Sequence, residues 1–174
     1  MDIKQELDQN QTVLLVLPSS KYNQISVDVT KKLSKESLCY VTLNKTRDAL
    51  EETFKKKKIN TENLVYIDAI SKTIKSAPSQ CDRCYYVSSP AALTELSLVT
   101  SKFLRHNFKY LIFDSLTNLV IYQKKAPVAK FLSSLINKIR SNKTKAVFYA
   151  VKVEGQEKLL QECSMFVDKV ITLK

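Results

Sequence analysis

The sequence predicts an α/β fold, a three-layer sandwich with helices on both faces of a mostly parallel central sheet. Three observations predict it. Thr12–Leu17 (TVLLVL), residues 38–43 (LCYVTL), residues 110–113 (YLIF) and Lys145–Val151 (KAVFYAV) are short apolar runs with almost no polar alternation, the pattern of strands buried on both faces. Segments with apolar residues at helical spacing lie between them, and alternating strands and helices build a parallel sheet joined by right-handed crossovers. No linker or internal repeat divides the 174 residues, a length that suits one domain with a sizeable core.

Taken in order, residues 1–11 form a polar N-terminal segment, and residues 12–174 form the domain. The first 10 residues are acidic rather than basic-then-apolar, so they do not resemble a secretory signal. The first strand ends at Leu17, and residues 18–22 (PSSKY) make a loop. A helix is expected over 23–33, with Ile25, Val29 and Leu33 inward. After the strand at 38–43, Asn44 or Thr46 can cap a helix that runs to about Lys57 with Leu50 and Phe54 inward. A third strand covers 64–67.

Residues 71–83 hold Pro78, several serines and Cys81, and read as an irregular excursion before a short strand at 85–87. Ser88 or Ser89 before Pro90 suits a helix start, and that helix ends near His106. Residues 127–140 carry the clearest helical stripe, Val128, Phe131, Leu132, Leu135, Ile136 and Ile139. A short helix over 155–163 and an edge strand over 165–173 finish the chain.

Composition narrows the function. Lys and Arg number 28 against 17 acidic residues, a net charge of +11. Such a balance suits a nucleic-acid partner, or simply a lysine-rich solvated surface. The apolar runs are far too short to span a bilayer; the expected location is the cytoplasm, with no membrane association. Four scattered cysteines in a cytosolic chain do not read as a disulfide framework. Cys81 and Cys84 have C-x-x-C spacing but supply only half of a structural zinc site, and they run into a strand rather than opening a helix. No metal site is assigned. Gly155 is the sole glycine, so motifs that need backbone free to take positive φ or to approach a phosphate closely are largely excluded.

At several places the chain resembles the RecA/KaiC-type ATPase core, in a divergent branch with a degenerate phosphate loop. The resemblance rests on residues 13–22, on YVTLN at 40–44, on VYIDAI at 65–70, on SSPAALTELS at 88–97, and most specifically on LIFDSL at 111–116. It implies the P-loop NTPase fold. In active members the aspartate after that strand holds magnesium, which points to Asp114. It also implies assembly with like or partner chains.

The catalytic parts do not match. Where G-x-x-x-x-G-K-S/T is expected, the chain reads LPSSKYNQIS over 17–26. Lys21 is followed by Tyr22, a bulky side chain in place of a hydroxyl that could reach magnesium. After the second strand, where the family carries acidic residues, stand Asn44 and Lys45; an amide cannot accept a proton as a carboxylate does. No catalytic residue is assigned. Ser19, Ser20, Lys21, Asp114 and Ser115 are the candidate vestigial nucleotide site, with Ser19, Ser20 and Lys21 as anion contacts at a helix start and Asp114 as a residual metal or nucleotide contact. The leading reading of Asp114 is nevertheless structural: a strand-end Asp that caps the next turn by accepting backbone N–H groups. Asp68 receives the same structural reading.

The expectation is a non-catalytic regulatory or protein-interaction module of signal-transduction type, with a protein partner or self-association and no cofactor. A weak ATP- and magnesium-binding protein or ATPase using Lys21, Asn44 and Asp114 is the alternative, and a basic nucleic-acid-binding module is the next.

Overall fold

A computed structural model describes residues 1–174. The chain begins with α1 (Ile3–Gln9), followed by β1 (Thr12–Leu17), a 3-10 turn at Ser19–Lys21 and α2 (Tyr22–Leu33). Then come β2 (Leu38–Thr42), α3 (Arg47–Lys56), β3 (Leu64–Asp68), α4 (Ser71–Ile74), β4 (Gln80–Cys81) and β5 (Cys84–Tyr86). The second half holds α5 (Leu93–Leu104), β6 (Tyr110–Asp114), α6 (Leu116–Tyr122), α7 (Lys125–Arg140), β7 (Lys145–Val151), α8 (Glu157–Ser164) and β8 (Lys169–Thr172).

The eight strands form one sheet in the order β4-β5-β3-β2-β6-β7-β1-β8. Every pairing is parallel except the β4–β5 hairpin. Side chains alternate between two cores, as the two-residue strand period requires. Leu14, Val16, Cys39, Val41, Leu111, Phe113 and Phe148 pack with α5, α7 and α8. Val13, Leu15, Leu17, Tyr40, Tyr66, Ile112 and Tyr149 pack with α1, α2 and α3. The expected three-layer α/β sandwich is therefore present, and no helix is long and apolar enough to cross a membrane.

The two cores differ in chemistry. Six tyrosines, Tyr22, Tyr40, Tyr66, Tyr86, Tyr110 and Tyr149, belong to the α1–α3 core. Phe113, Phe131 and Phe148 belong to the other. A phenol carries a hydroxyl into the interior with its ring, so the buried tyrosine hydroxyls are gathered in the first core.

The boundaries expected from the sequence change in places. The N-terminal polar segment contains α1, capped by the Asp2 carboxylate accepting from Lys4 N at 3.1 Å, with Ile3 and Leu7 fully buried. Gln11 Nε2 donates to the carbonyls of Ile139, Asn142 and Thr144, which ties this segment to the end of α7. Residues 71–83 contain the α4 turn and the β4 strand rather than irregular chain alone. Residues 116–122, unassigned from sequence, form α6. α5 starts at Leu93 rather than at Pro90, because Glu95 reaches back to accept from the N–H and the hydroxyl of Ser88, holding that stretch outside the helix.

Candidate functional site

Parallel register sets the C-terminal ends of three strands at one level: Thr42 stands opposite both Asp68 and Asp114. This is the edge at which open α/β sheets bind ligands. The two strand-end aspartates have different partners.

Asp68 is the structural one. Its Oδ1 accepts from the N–H groups of Ile70 and Ser71, both at 2.8 Å, and its Oδ2 accepts from Arg47 N at 2.7 Å and Ser71 Oγ at 2.6 Å. It fastens the starts of α3 and α4 to the sheet, as a side chain that competes for backbone donors does.

Asp114 does not cap the turn after it, and the structural role expected for it is corrected here. Alternation along β6 puts Tyr110, Ile112 and Asp114 on the face toward α2 and α3. Its carboxylate therefore points under α2, away from the backbone of α6. Oδ1 accepts from the Tyr22 hydroxyl and from Asn44 Nδ2 at 3.1 Å; Oδ2 accepts from the Tyr40 hydroxyl at 2.6 Å. Asn44 Nδ2 also donates to the Tyr22 oxygen. Three of roughly four acceptor directions on the carboxylate are thus used by protein groups. Only 1% of Asp114 is exposed.

Burial pushes the Asp114 carboxyl up to about 8. The two phenols and the amide favour the anion, but the loss of water outweighs them. Burial likewise raises the Tyr40 and Tyr149 phenols. Tyr149 faces this cluster edge-on to Tyr22, ring centroids 6.3 Å apart, and its hydroxyl has no hydrogen-bond partner. Chemically the cage holds a proton near neutrality. A cation could ligate Asp114 only after Tyr22 and Tyr40 had moved.

The remaining candidate residues lie around this cage without joining it. Ser19, Ser20 and Lys21 are exposed on a tight turn closed by Lys21 N donating to Pro18 O at 3.1 Å. That turn runs straight into α2, whose first residue is Tyr22. Lys21 Nζ donates to Lys174 O at 2.9 Å. Ser115 follows Asp114 as the N-cap residue of α6, but its hydroxyl donates to Asn118 Oδ1 at 3.0 Å rather than to a helix N–H. Asn118 Nδ2 in turn donates to Leu43 O. Lys45 donates to Asn23 Oδ1 at 2.7 Å, and burial lowers the pKa of its ammonium.

Sequence reasoning placed Tyr22 and Asn44 at this edge but missed Tyr40. The signal was available in the pattern: Tyr40 pairs with Ile112, so it shares a face with Asp114, two residues on. Its long phenol spans that offset.

No protein-family model matches the chain, and no curated protein matches it in sequence. Among solved structures it is similar to a KaiC-like protein from the hyperthermophilic archaeon Pyrococcus horikoshii OT3. The TM-score is 0.65 at 14% identity, over 94% of this chain and 70% of that one. The fold is therefore RecA/KaiC-like, as an identity this low carries architecture and nothing finer.

Proposed function

We propose that this chain is a non-catalytic RecA/KaiC-like domain that acts as a regulatory or protein-interaction module. One observation carries the reading: the strand-end carboxylate of Asp114 is enclosed by the Tyr22 and Tyr40 phenols and the Asn44 amide. Three protein donors already occupy that carboxylate, so a magnesium ion would have to displace them to reach it. The turn after β1 supports the same reading. Its residues carry no glycine, and its backbone closes on itself through Pro18 O.

A protein partner or a second copy is the proposed ligand. Large apolar side chains stay exposed on or beside the helices of one layer: Leu98, Ile121, Tyr122 and Met165. Such surface serves association when it is covered by another chain. Light scattering over a concentration series, alone and with cell-derived partners, reads assembly directly.

The nucleotide alternative is separated by titrating ATP with magnesium and following the melting temperature. A ligand that binds only the folded state raises it as concentration grows. The expected result is no shift beyond that given by other polyanions. A concentration-dependent rise specific to ATP, lost in Asp114→Ala, replaces this reading with that of a weak ATP-binding protein. A preference for one nucleic-acid sequence or strand form at matched salt would instead favour the basic nucleic-acid module, since charge alone produces unselective binding.

A further inference from the structure

The β4–β5 hairpin brings together two sulfurs that the Asp114 cage does not use. Cys81 and Cys84 stand directly opposite each other across this antiparallel pair, separated by the two-residue turn Asp82–Arg83 with Arg83 at φ 56°. Opposed residues in such a pair project to the same face. Their Cα atoms lie about 4.5–5.5 Å apart, inside the span of about 4.4–6.8 Å that a disulfide bridges. The Cys81 thiol also meets the Tyr86 hydroxyl, Sγ 3.3 Å from it, and Tyr86 lies two residues beyond Cys84 on the same face of β5. Cys81 is exposed, whereas Cys84 is buried against the α1–α3 core. The Arg47 guanidinium is close enough to act electrostatically on both.

We propose that Cys81 and Cys84 are a reversible dithiol–disulfide pair that closes across this hairpin by exchange with a small-molecule disulfide. The Cys81 thiolate, the accessible sulfur, attacks one sulfur of the incoming disulfide. An S–S bond forms at Cys81 and one small thiolate leaves. Cys84 then loses its proton to a departing thiolate and attacks Cys81 Sγ. The mixed disulfide breaks, a second small thiol is released, and the Cys81–Cys84 bond is made. Two protein thiols are oxidised and one small disulfide is reduced.

The order of events follows from the surroundings. Burial, then the charge of Asp68, push the Cys84 thiol up to about 12, while Arg47 pulls it down. Reaction therefore begins at Cys81, because the thiolate is the nucleophile and needs access. The closed loop is only four residues long, so the bond adds little to stability, and a bond of that kind is readily reduced again. What it changes is local. It pins the turn that carries Arg83, whose guanidinium donates to Thr61 O at 2.5 Å, and it frees the Tyr86 hydroxyl from Cys81.

The test uses the full chain in buffers of reduced and oxidised glutathione, quenched with acid, alkylated, and analysed by mass spectrometry of peptides. Cys81 and Cys84 are expected to lose alkylation together as the buffer becomes oxidising, giving a peptide two hydrogens lighter, with full reversal by excess dithiol. Cys39 and Cys163, both buried, serve as internal controls. Cys81→Ser, at an exposed position, abolishes the change. Cys84→Ala traps glutathione on Cys81 instead. The proposal is overturned if both thiols stay alkylatable at every ratio, if the wild-type chain holds glutathione on Cys81 without closing, or if the bond joins two chains.

Discussion

Asp114 keeps its proton into the neutral range although two phenols and an amide donate to it, so its effect on stability has a definite sign. An unfolded Asp titrates near 3.9. Below about pH 4 both states are protonated and nothing is lost. Between about pH 4 and 8 the unfolded chain releases the proton while the folded chain retains it, so stability falls as pH rises; above 8 it levels off. The slope is at most about 1.4 kcal/mol per pH unit. Asp114→Asn carries no such dependence and is expected to gain on the wild type between pH 5 and pH 8 in urea unfolding. An equal difference at both pH values would refute the protonated carboxyl. The hydroxyls around it are unequal. Tyr40→Phe strips Oδ2 of its donor and is expected to lose about 1–3 kcal/mol. Tyr149→Phe removes a hydroxyl with no partner and is expected to be neutral or mildly stabilising. Denaturation of the two variants side by side decides this, and equal losses would sink it.

At the scale of the element, a chain with one glycine must turn its helix ends with other residues. α3 ends in a Schellman turn: Ile59 N donates to Phe54 O at 2.9 Å and Lys58 N to Lys55 O at 3.0 Å. Lys58 takes φ 55° there, a conformation that disfavours a side chain by about 1–2 kcal/mol. Ile59 packs in the same core as Phe54, which keeps the turn in place. Lys58→Gly is therefore expected to stabilise the protein by about 1 kcal/mol, less the entropy glycine adds to the unfolded chain, read as a higher melting temperature. A lower one would show that the turn is not strained. The elements were unequally legible. α7 is announced by six inward apolar residues. α1 offers only Ile3 and Leu7 among polar neighbours, and α6 is seven residues long, too short for periodicity to stand out.

For the whole molecule, charge is the dominant surface property. Seven ion pairs are present, all between solvent-accessible groups, and such pairs contribute little each. A net charge of +11 repels itself in the compact state. Raising sodium chloride from about 0.05 M to about 0.5 M shortens the screening length several-fold. It is expected to raise the melting temperature by a few degrees. A fall on adding salt would mean that the ion pairs outweigh the repulsion.

The alternation of buried strands with helices, the mostly parallel sheet and the absence of glycine from the turn after β1 were determined by sequence alone, because each depends on local periodicity or on the presence of a residue type. The environment of Asp114 was decided by tertiary structure. Whether a strand-end carboxylate caps a backbone, as Asp68 does, or sits among phenols depends on which face its strand turns inward and on what Tyr22, Tyr40 and Asn44 bring from α2, β2 and the loop after β2. The opposition of Cys81 and Cys84 was settled in the same way, by the register of a hairpin that spacing alone could not distinguish from a loop.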